Sequence, residues 1–292
     1  MRILFLGDIV GRAARNEALS QTAGLKEKHK CDFVVTNCEN AAGGFGVTAD
    51  ICNALFDAGT DVLTSGNHIW DKSEISSYIA SEPRLIRPLN MNKGFPGDGF
   101  VITSNMEGRR LAVLNVITNL FMSDYLNVFS ALEDFLGRVK LGRDADAILV
   151  DVHGEATSEK MAIGHFLDGR VSCVVGTHTH VPTADYQILE GGTAYQTDAG
   201  MCGDYNSVIG MNKEVATSRF RQDASGRLTV ATGEITVDTM DVQKEFKILQ
   251  SRFDHWKHDY KERLKFGERF LKKEVTEKTT PELTKKRSFF GG

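Results

Sequence analysis

Three times within the first 80 residues, a short apolar run rich in β-branched side chains is followed by a polar or glycine-containing turn and then a longer helical stretch. The runs are Ile3 to Leu6, Phe33 to Thr36 and Asp61 to Ser65. The helical stretches extend from about Ala13 to Lys28, Ala49 to Ala58 and Ser73 to Ala80. Parallel strands need a crossover connection, so this rhythm predicts an α/β fold with a parallel sheet covered by helices. A chain of 292 residues allows one large α/β domain or two small ones, and 41% hydrophobic residues suffice for a core.

Further along, Gly99 to Thr103 and Leu111 to Val116 read as strands joined by the turn-like Glu107-Gly108-Arg109, which brings in antiparallel pairing. Ala147 to Val152 and Val171 to Val175 resume the buried-strand pattern, with a helix from Ser158 to Leu167 between them. From Tyr186 to Asp238 strand-like runs dominate (Ala194 to Thr197, Leu228 to Thr232, Glu234 to Val237), and the expectation is a mixed sheet or a two-sheet sandwich. The character then changes. Phe246, Leu249, Phe253, Trp256 and Tyr260 form one apolar stripe at helical spacing, and residues 251–292 hold 12 Lys and Arg against 7 Asp and Glu, a net of +5. Residues 1–241 therefore read as the main domain. Residues 242–292 read as an amphipathic helix, docked on its own domain or facing a subunit or partner, followed by a basic tail.

Several function classes are excluded or disfavoured. The formal charge of −4 leaves no footprint for stable duplex nucleic-acid binding. No apolar run approaches the roughly 20 residues of a membrane span, and Gly7-Asp8 stops the N-terminal run too early for a signal peptide. The five cysteines are odd in number and lack a C-x-x-C pair, which argues against a disulfide framework or zinc ribbon and for a reducing cytoplasm.

The polar residues after the strands carry the chemistry. Asp8 follows the first strand, Glu39 and Asn40 the second, Asn67 and His68 the third, His153 the run to Val152, and His178 and His180 the run to Val175. Each fragment alone is explained by a cap, a turn or a satisfied structural histidine. Together, five strand ends deliver ligands to the edge where α/β sheets bind them. Imidazole, carboxylate and amide oxygen without thiolate suit divalent manganese, iron, zinc or cobalt, and Cys38 reads as packing. Seven candidate ligands favour two ions over one, with a carboxylate as bridge. Two divalent ions with Asp8 and Glu39 leave a net charge of about +2, which draws a phosphate ester. Metal-bound hydroxide would attack phosphorus, and His68, beside Asn67, is the candidate acid for the leaving oxygen.

Gly7-Asp8, Asn37-Cys38-Glu39-Asn40, Gly66-Asn67-His68, Val152-His153-Gly154 and Gly176-Thr177-His178-Thr179-His180 together resemble the calcineurin-like metallophosphoesterases. Gly7-Asp8-Ile9-Val10-Gly11, Asn37 to Ala42, Gly66-Asn67-His68-Ile69-Trp70-Asp71 and Thr197-Asp198-Ala199-Gly200-Met201 resemble the bacterial YmdB-type branch over roughly residues 1–240. The resemblance implies a four-layer α/β/β/α sandwich of two mixed sheets. It implies one metal on Asp8, Glu39, Asn40 and His180, and another on Glu39, Asn67, His153 and His178, with Glu39 bridging and His68 as proton donor. Many members of the superfamily carry His where this chain has Val10, and bridge with Asp where it has Glu39. Both departures match the YmdB-type branch.

That branch implies iron or manganese and hydrolysis of 2′,3′-cyclic nucleotides, a small-molecule phosphodiester; cysteine usage points to the cytoplasm, and a homo-oligomer is expected. Phe45, Trp70 and Tyr205 are candidates for stacking the base. Two other readings stay open: a phosphomonoesterase or protein phosphatase on the same scaffold, and a regulatory protein that senses a nucleotide without turnover.

Overall fold

The computed structural model describes residues 1–92, 94–223, 227–237 and 239–241. The predicted C-terminal apolar stripe and basic tail lie outside the described residues. The chain opens with β1 (Ile3–Leu6), β2 (Asp8–Ile9), α1 (Gly11–His29), β3 (Phe33–Asn37), α2 (Ala49–Asp57), β4 (Val62–Thr64) and α3 (Ile75–Ile79). Next come β5 (Phe100–Ser104), β6 (Arg110–Ile117), α4 (Val128–Arg138), β7 (Ala147–His153), α5 (Thr157–Leu167) and β8 (Cys173–Thr177). The last described elements are β9 (Gln187–Ile188), β10 (Ala194–Gln196), β11 (Met201–Asp204), α6 (Lys213–Phe220), β12 (Ile235–Val237) and β13 (Thr239–Asp241).

Three sheets result, with orders β13-β1-β3-β4, β5-β6-β7-β8-β10-β9 and β12-β11-β2. The interiors of the first two are parallel: β1 pairs with β3, β3 with β4, β6 with β7, β7 with β8, and β8 with β10. Antiparallel strands β13, β5 and β9 lie at the edges of these sheets. The fold is thus mixed α/β, and its parallel strands send their carboxyl ends toward a common region.

The near-continuous apolar strand runs are explained by burial on both faces. Alternate residues of β1 point opposite ways. Ile3 and Phe5, with Phe33, Val35 and Val62, share one apolar cluster with Leu111, Val113, Leu149 and Val175 of the six-stranded sheet. Leu4 and Leu6 pack instead with Ala14 and Ala18 of α1 and Cys52 and Leu55 of α2. The outer face of the larger sheet packs Val150 and Val152 against Leu132 and Phe135 of α4 and Ile163 and Leu167 of α5.

Two helices escaped the sequence reading. In α4, Val128, Leu132, Phe135 and Leu136 make a buried stripe, and the Asn127 side chain caps the start by accepting from Ser130 N at 2.9 Å. In α6 only Ala216 is buried, so the apolar period is nearly absent, and the Asn212 cap on Val215 N, at 3.0 Å, marks its start. Conversely, the expected strand from Leu228 to Thr232 forms only an isolated bridge between Val230 and Met211. Val230 covers glycines instead: its side chain occupies the space a Cβ on Gly11 or Gly44 would need.

Leu149 is fully buried between the two larger sheets. Leu149→Ala should lower unfolding stability by about 2–5 kcal/mol, read as a lowered denaturant midpoint with an unchanged slope.

Candidate metal centre

Strand ends from three sheets meet here. Asp8 opens β2, which pairs with β11 in the small sheet, Met201 opposite Asp8. The chain reaches it through Gly7, where a Cβ would collide with the Gly200 carbonyl, so only glycine passes there. Glu39 and Asn40 follow β3, and Asn67 and His68 follow β4. His153 is the last residue of β7, opposite Thr177 of β8, and His178 and His180 lie just beyond β8. The sequence reading put all five strand ends on one sheet edge; the described arrangement draws them from separate sheets.

Two clusters with ligand-capable atoms within 4.8 Å of one another form: Glu39, His153 and His178, and Asp8, Glu39 and His180. Glu39 belongs to both. Its Oε1 lies 3.2 Å from His153 Nε2 and accepts from Asn40 Nδ2 at 3.0 Å, while its Oε2 accepts from the His68 backbone N–H at 3.3 Å. His153 Nε2 is also 3.0 Å from Asn67 Oδ1 and 3.1 Å from His178 Nδ1. In the second cluster, His180 Nε2 is 3.2 Å from Asn40 Nδ2 and 3.9 Å from Asp8 Oδ1. The seven residues read as ligands are therefore gathered in one place.

Several features of this centre fit a cation. Asp8 Oδ1 and Asn40 Oδ1 are buried without a hydrogen-bond partner among the described residues, a costly state that a metal relieves. A Cβ on Gly66 would fall onto Glu39 Oε2 and His153 Nε2, so glycine keeps that space open. His178 and His180 both have left-handed backbone, with φ of 96° and 65°, strain that concentrates at functional sites.

Electrostatics without metal point the same way. Burial pushes the Asp8 carboxyl up to about 6 against the pull of His180 and His153. Burial also pushes Glu39 up, but the His153 ring beside it outweighs this and holds the carboxyl at about 2. For His153, burial is outweighed by Glu39, and the ring keeps its proton to about 9. Burial and the charge of His153 drive His178 down to about 3, so its ring is neutral. A buried proton thus occupies the place of positive charge.

His68 is half-buried, and its Nδ1 lies 2.9 Å from Asp71 Oδ2. That contact leaves Nε2 as the ring nitrogen available to other groups. Phe45 sets its ring edge against the imidazole at 5.1 Å between centroids. Of the other aromatic candidates, Trp70 stacks on Phe95 at 5.1 Å, and the Tyr205 hydroxyl is held by the Met201 backbone. Cys38 is buried and donates to the Thr64 carbonyl, as packing requires.

Sequence reasoning missed the residues behind the ligands. His153 Nδ1 is 2.9 Å from Thr177 Oγ1, which donates to Asp151 Oδ1 at 2.7 Å and so orients the ring. Lys160, on α5 and 1% exposed, donates to the Thr177 carbonyl at 2.7 Å and to Asp198 Oδ2 at 2.9 Å. Asp198 Oδ2 also accepts from Thr179 N at 3.1 Å and Thr179 Oγ1 at 2.8 Å. This pair clamps the turn that carries both strained histidines. A lysine in a helix gives no sign in sequence that it is buried, and Asp198 stood out only within the family motif Thr197 to Met201, with no role assigned.

Two outcomes follow. With His153 as a ligand, metal uptake would displace its proton, so apparent affinity should fall as pH drops from about 9 towards 6, where Asp8 also takes up a proton; competition against a chromophoric chelator reads this. Lys160→Met leaves Asp198 buried and unpaired, which should cost about 3–5 kcal/mol of stability and weaken metal binding about 10–100-fold, seen by thermal unfolding and metal analysis.

The sequence model of the YmdB-like protein family matches residues 4–250. The 2′,3′-cyclic-nucleotide 2′-phosphodiesterase of Bacillus subtilis (strain 168) is 42% identical over 249 residues, 85% of this chain and 93% of that protein. A putative phosphatase/phosphodiesterase of Mycoplasma pneumoniae is 35% identical over 278 residues, 89% of this chain and 97% of that one. Among solved structures, a hypothetical protein from Thermus thermophilus superposes with a TM-score of 0.75 at 40% identity, covering 80% of this chain and 90% of its own. A structure titled as a novel phosphatase of Mycoplasma pneumoniae also gives 0.75, at 33% identity, with 83% and 88% covered. Motifs, fold and close relatives agree: this chain belongs to the YmdB-like family of metallophosphoesterases.

Proposed function

We propose that this chain is a dimetal phosphodiesterase that hydrolyses 2′,3′-cyclic nucleotides to nucleoside monophosphates. The observation that carries the reading is Glu39 shared by two ligand clusters, with the unpaired buried oxygens of Asp8 and Asn40 beside it. The substrate class rests on the 42% identical Bacillus subtilis relative. Asp8, Glu39, Asn40 and His180 would hold one ion, and Glu39, Asn67, His153 and His178 the other, with iron or manganese as the metal. When bound, a pair of divalent ions supplies charge stabilisation for phosphoryl oxygens and activates water at neutral pH.

The chain's own residues supply the remainder. Hydrolysis adds water to phosphorus and breaks one bond from phosphorus to a ribose oxygen, which must leave with a proton. His68 would hold that proton at Nε2, with Asp71 on Nδ1 setting the tautomer. The clamp of Lys160 and Asp198 would keep the two loop histidines in their strained turn. The three apolar clusters support a helix-sheet-sheet-helix layering for residues 1–241. Placement in the cytoplasm and homo-oligomerisation accompany this reading.

A second reading, a phosphomonoesterase or protein phosphatase, draws on the relatives described as phosphatases. Protein reconstituted with iron or manganese separates the two when assayed on 2′,3′-cyclic nucleotides, p-nitrophenyl phosphate esters and a phosphopeptide. Turnover of monoesters alone would defeat the first. His68→Ala should lower turnover by about 10²–10⁴-fold with metal content intact; loss of metal in that variant would make His68 a ligand instead.

A further inference from the structure

A cavity of about 390 Å³ opens beside the centre, lined by Arg12, Gly43, Phe45, Arg227, Thr229 and Val230 among others. Its lining includes Phe45, which also contacts His68, and residues next to the backbone that Asn40 holds. The Asn40 carbonyl accepts from Gly11 N at 2.9 Å and from Gly44 N at 3.0 Å, so the backbone of one candidate ligand fastens the start of α1 and the glycine loop. The Asn40 side chain meanwhile faces Glu39 and His180. Phe45 lines the cavity and also sets its ring against His68. The Val230 side chain, seated against Gly11 and Gly44, lines the cavity on the same segment as Arg227.

The cavity's charge is one-sided. Arg12 and Arg227 are both exposed, and no carboxylate lines the space. Among the described residues neither guanidinium forms an ion pair, whereas Arg84, Arg109, Arg110, Arg143, Arg170 and Arg221 all do. Two guanidiniums without an ion pair among the described residues, with Thr229 and Thr232 in the same lining, suit a phosphate, which accepts forked hydrogen bonds. An aromatic ring between cavity and centre suits a nucleobase or ribose face.

We infer that the cavity of Arg12 and Arg227 binds a second phosphate, on the 5′ side of the nucleotide whose 2′,3′-cyclic ester sits at the metal centre. This rests on the phosphodiesterase reading and narrows its substrate class. Two sources share this chemistry: a 5′-phosphorylated mononucleotide, and the 3′ end of an oligonucleotide, whose 5′-side phosphate is a diester. In either case the guanidiniums bind and orient, and the bond broken remains that of the cyclic ester.

The test compares kcat/KM of the metal-loaded protein on adenosine 2′,3′-cyclic phosphate, its 5′-phosphorylated form, and a diadenosine dinucleotide ending in a 2′,3′-cyclic phosphate. One or both of the latter should be preferred, and which one is preferred identifies the source. Arg12→Ala with Arg227→Ala should lower kcat/KM for the preferred substrate by about tenfold. The same double variant should leave the plain cyclic nucleotide within about twofold.

No preference in the parent protein, a preference that survives in the double variant, or an equal loss on all three substrates would overturn the inference. Calorimetry with adenosine 3′,5′-bisphosphate against adenosine 3′-monophosphate keeps it separate from turnover. If no cyclic substrate is hydrolysed but the bisphosphate binds about tenfold tighter and loses this in the double variant, the cavity stands and the phosphodiesterase reading falls. Equal binding of the two in that case sinks both.

Discussion

Glu39 is a carboxylate taken wholly out of water, and the rest of the centre is organised around that burial. An isolated buried charge is prohibitive unless it is paired and hydrogen-bonded. Here the compensation comes from His153, Asn40 and the His68 backbone, and each stands at the end of a different strand or loop. Seating one glutamate therefore requires β3, β4 and β7 to end in register with one another. The parallel pairing of β3 with β4, and the apolar cluster shared by residues of the two larger sheets, supply that register.

The same constraint explains why the centre favours cations. Metal-free, it holds positive charge as a proton on His153. In the dimetal reading proposed above, a divalent ion would take the place of that proton and would satisfy Asp8 Oδ1 and Asn40 Oδ1, which have no hydrogen-bond partner among the described residues. The left-handed backbones of His178 and His180 belong to the same balance. Strain at two adjacent ligands persists only where neighbours over-determine it, and Lys160 with Asp198 holds the intervening turn from behind. Stability of α5 and β8 is thereby tied to the geometry of the site.

Most of the fold was legible because both faces of the parallel strands are buried, which leaves unbroken runs such as Phe33 to Thr36 and Ala147 to Val152. Helix α6 was not legible, since a helix that buries only Ala216 has no apolar period to read. The segment from Leu228 to Thr232 misled for the opposite reason: its β-branched residues look like a strand, yet Val230 is used to cover Gly11 and Gly44. At the site, ligand types and their positions after strands were visible. Lys160 was not, because burial of a lysine depends on a carboxylate 38 residues away in sequence.

The order of residues by itself determined which chemical groups stand at the ends of strands, and hence that the candidate ligands are imidazole, carboxylate and amide without thiolate. It also determined the alternation of strand and helix, because hydrophobic period is a local property. Only the tertiary structure decided that the candidate ligands come from three sheets, that Glu39 is common to both clusters, and that Arg12 and Arg227 line one cavity. The reason is physical: which strands pair and which faces meet is set by burial of surfaces distant in sequence, and no local pattern records the distance between two side chains that such packing brings together.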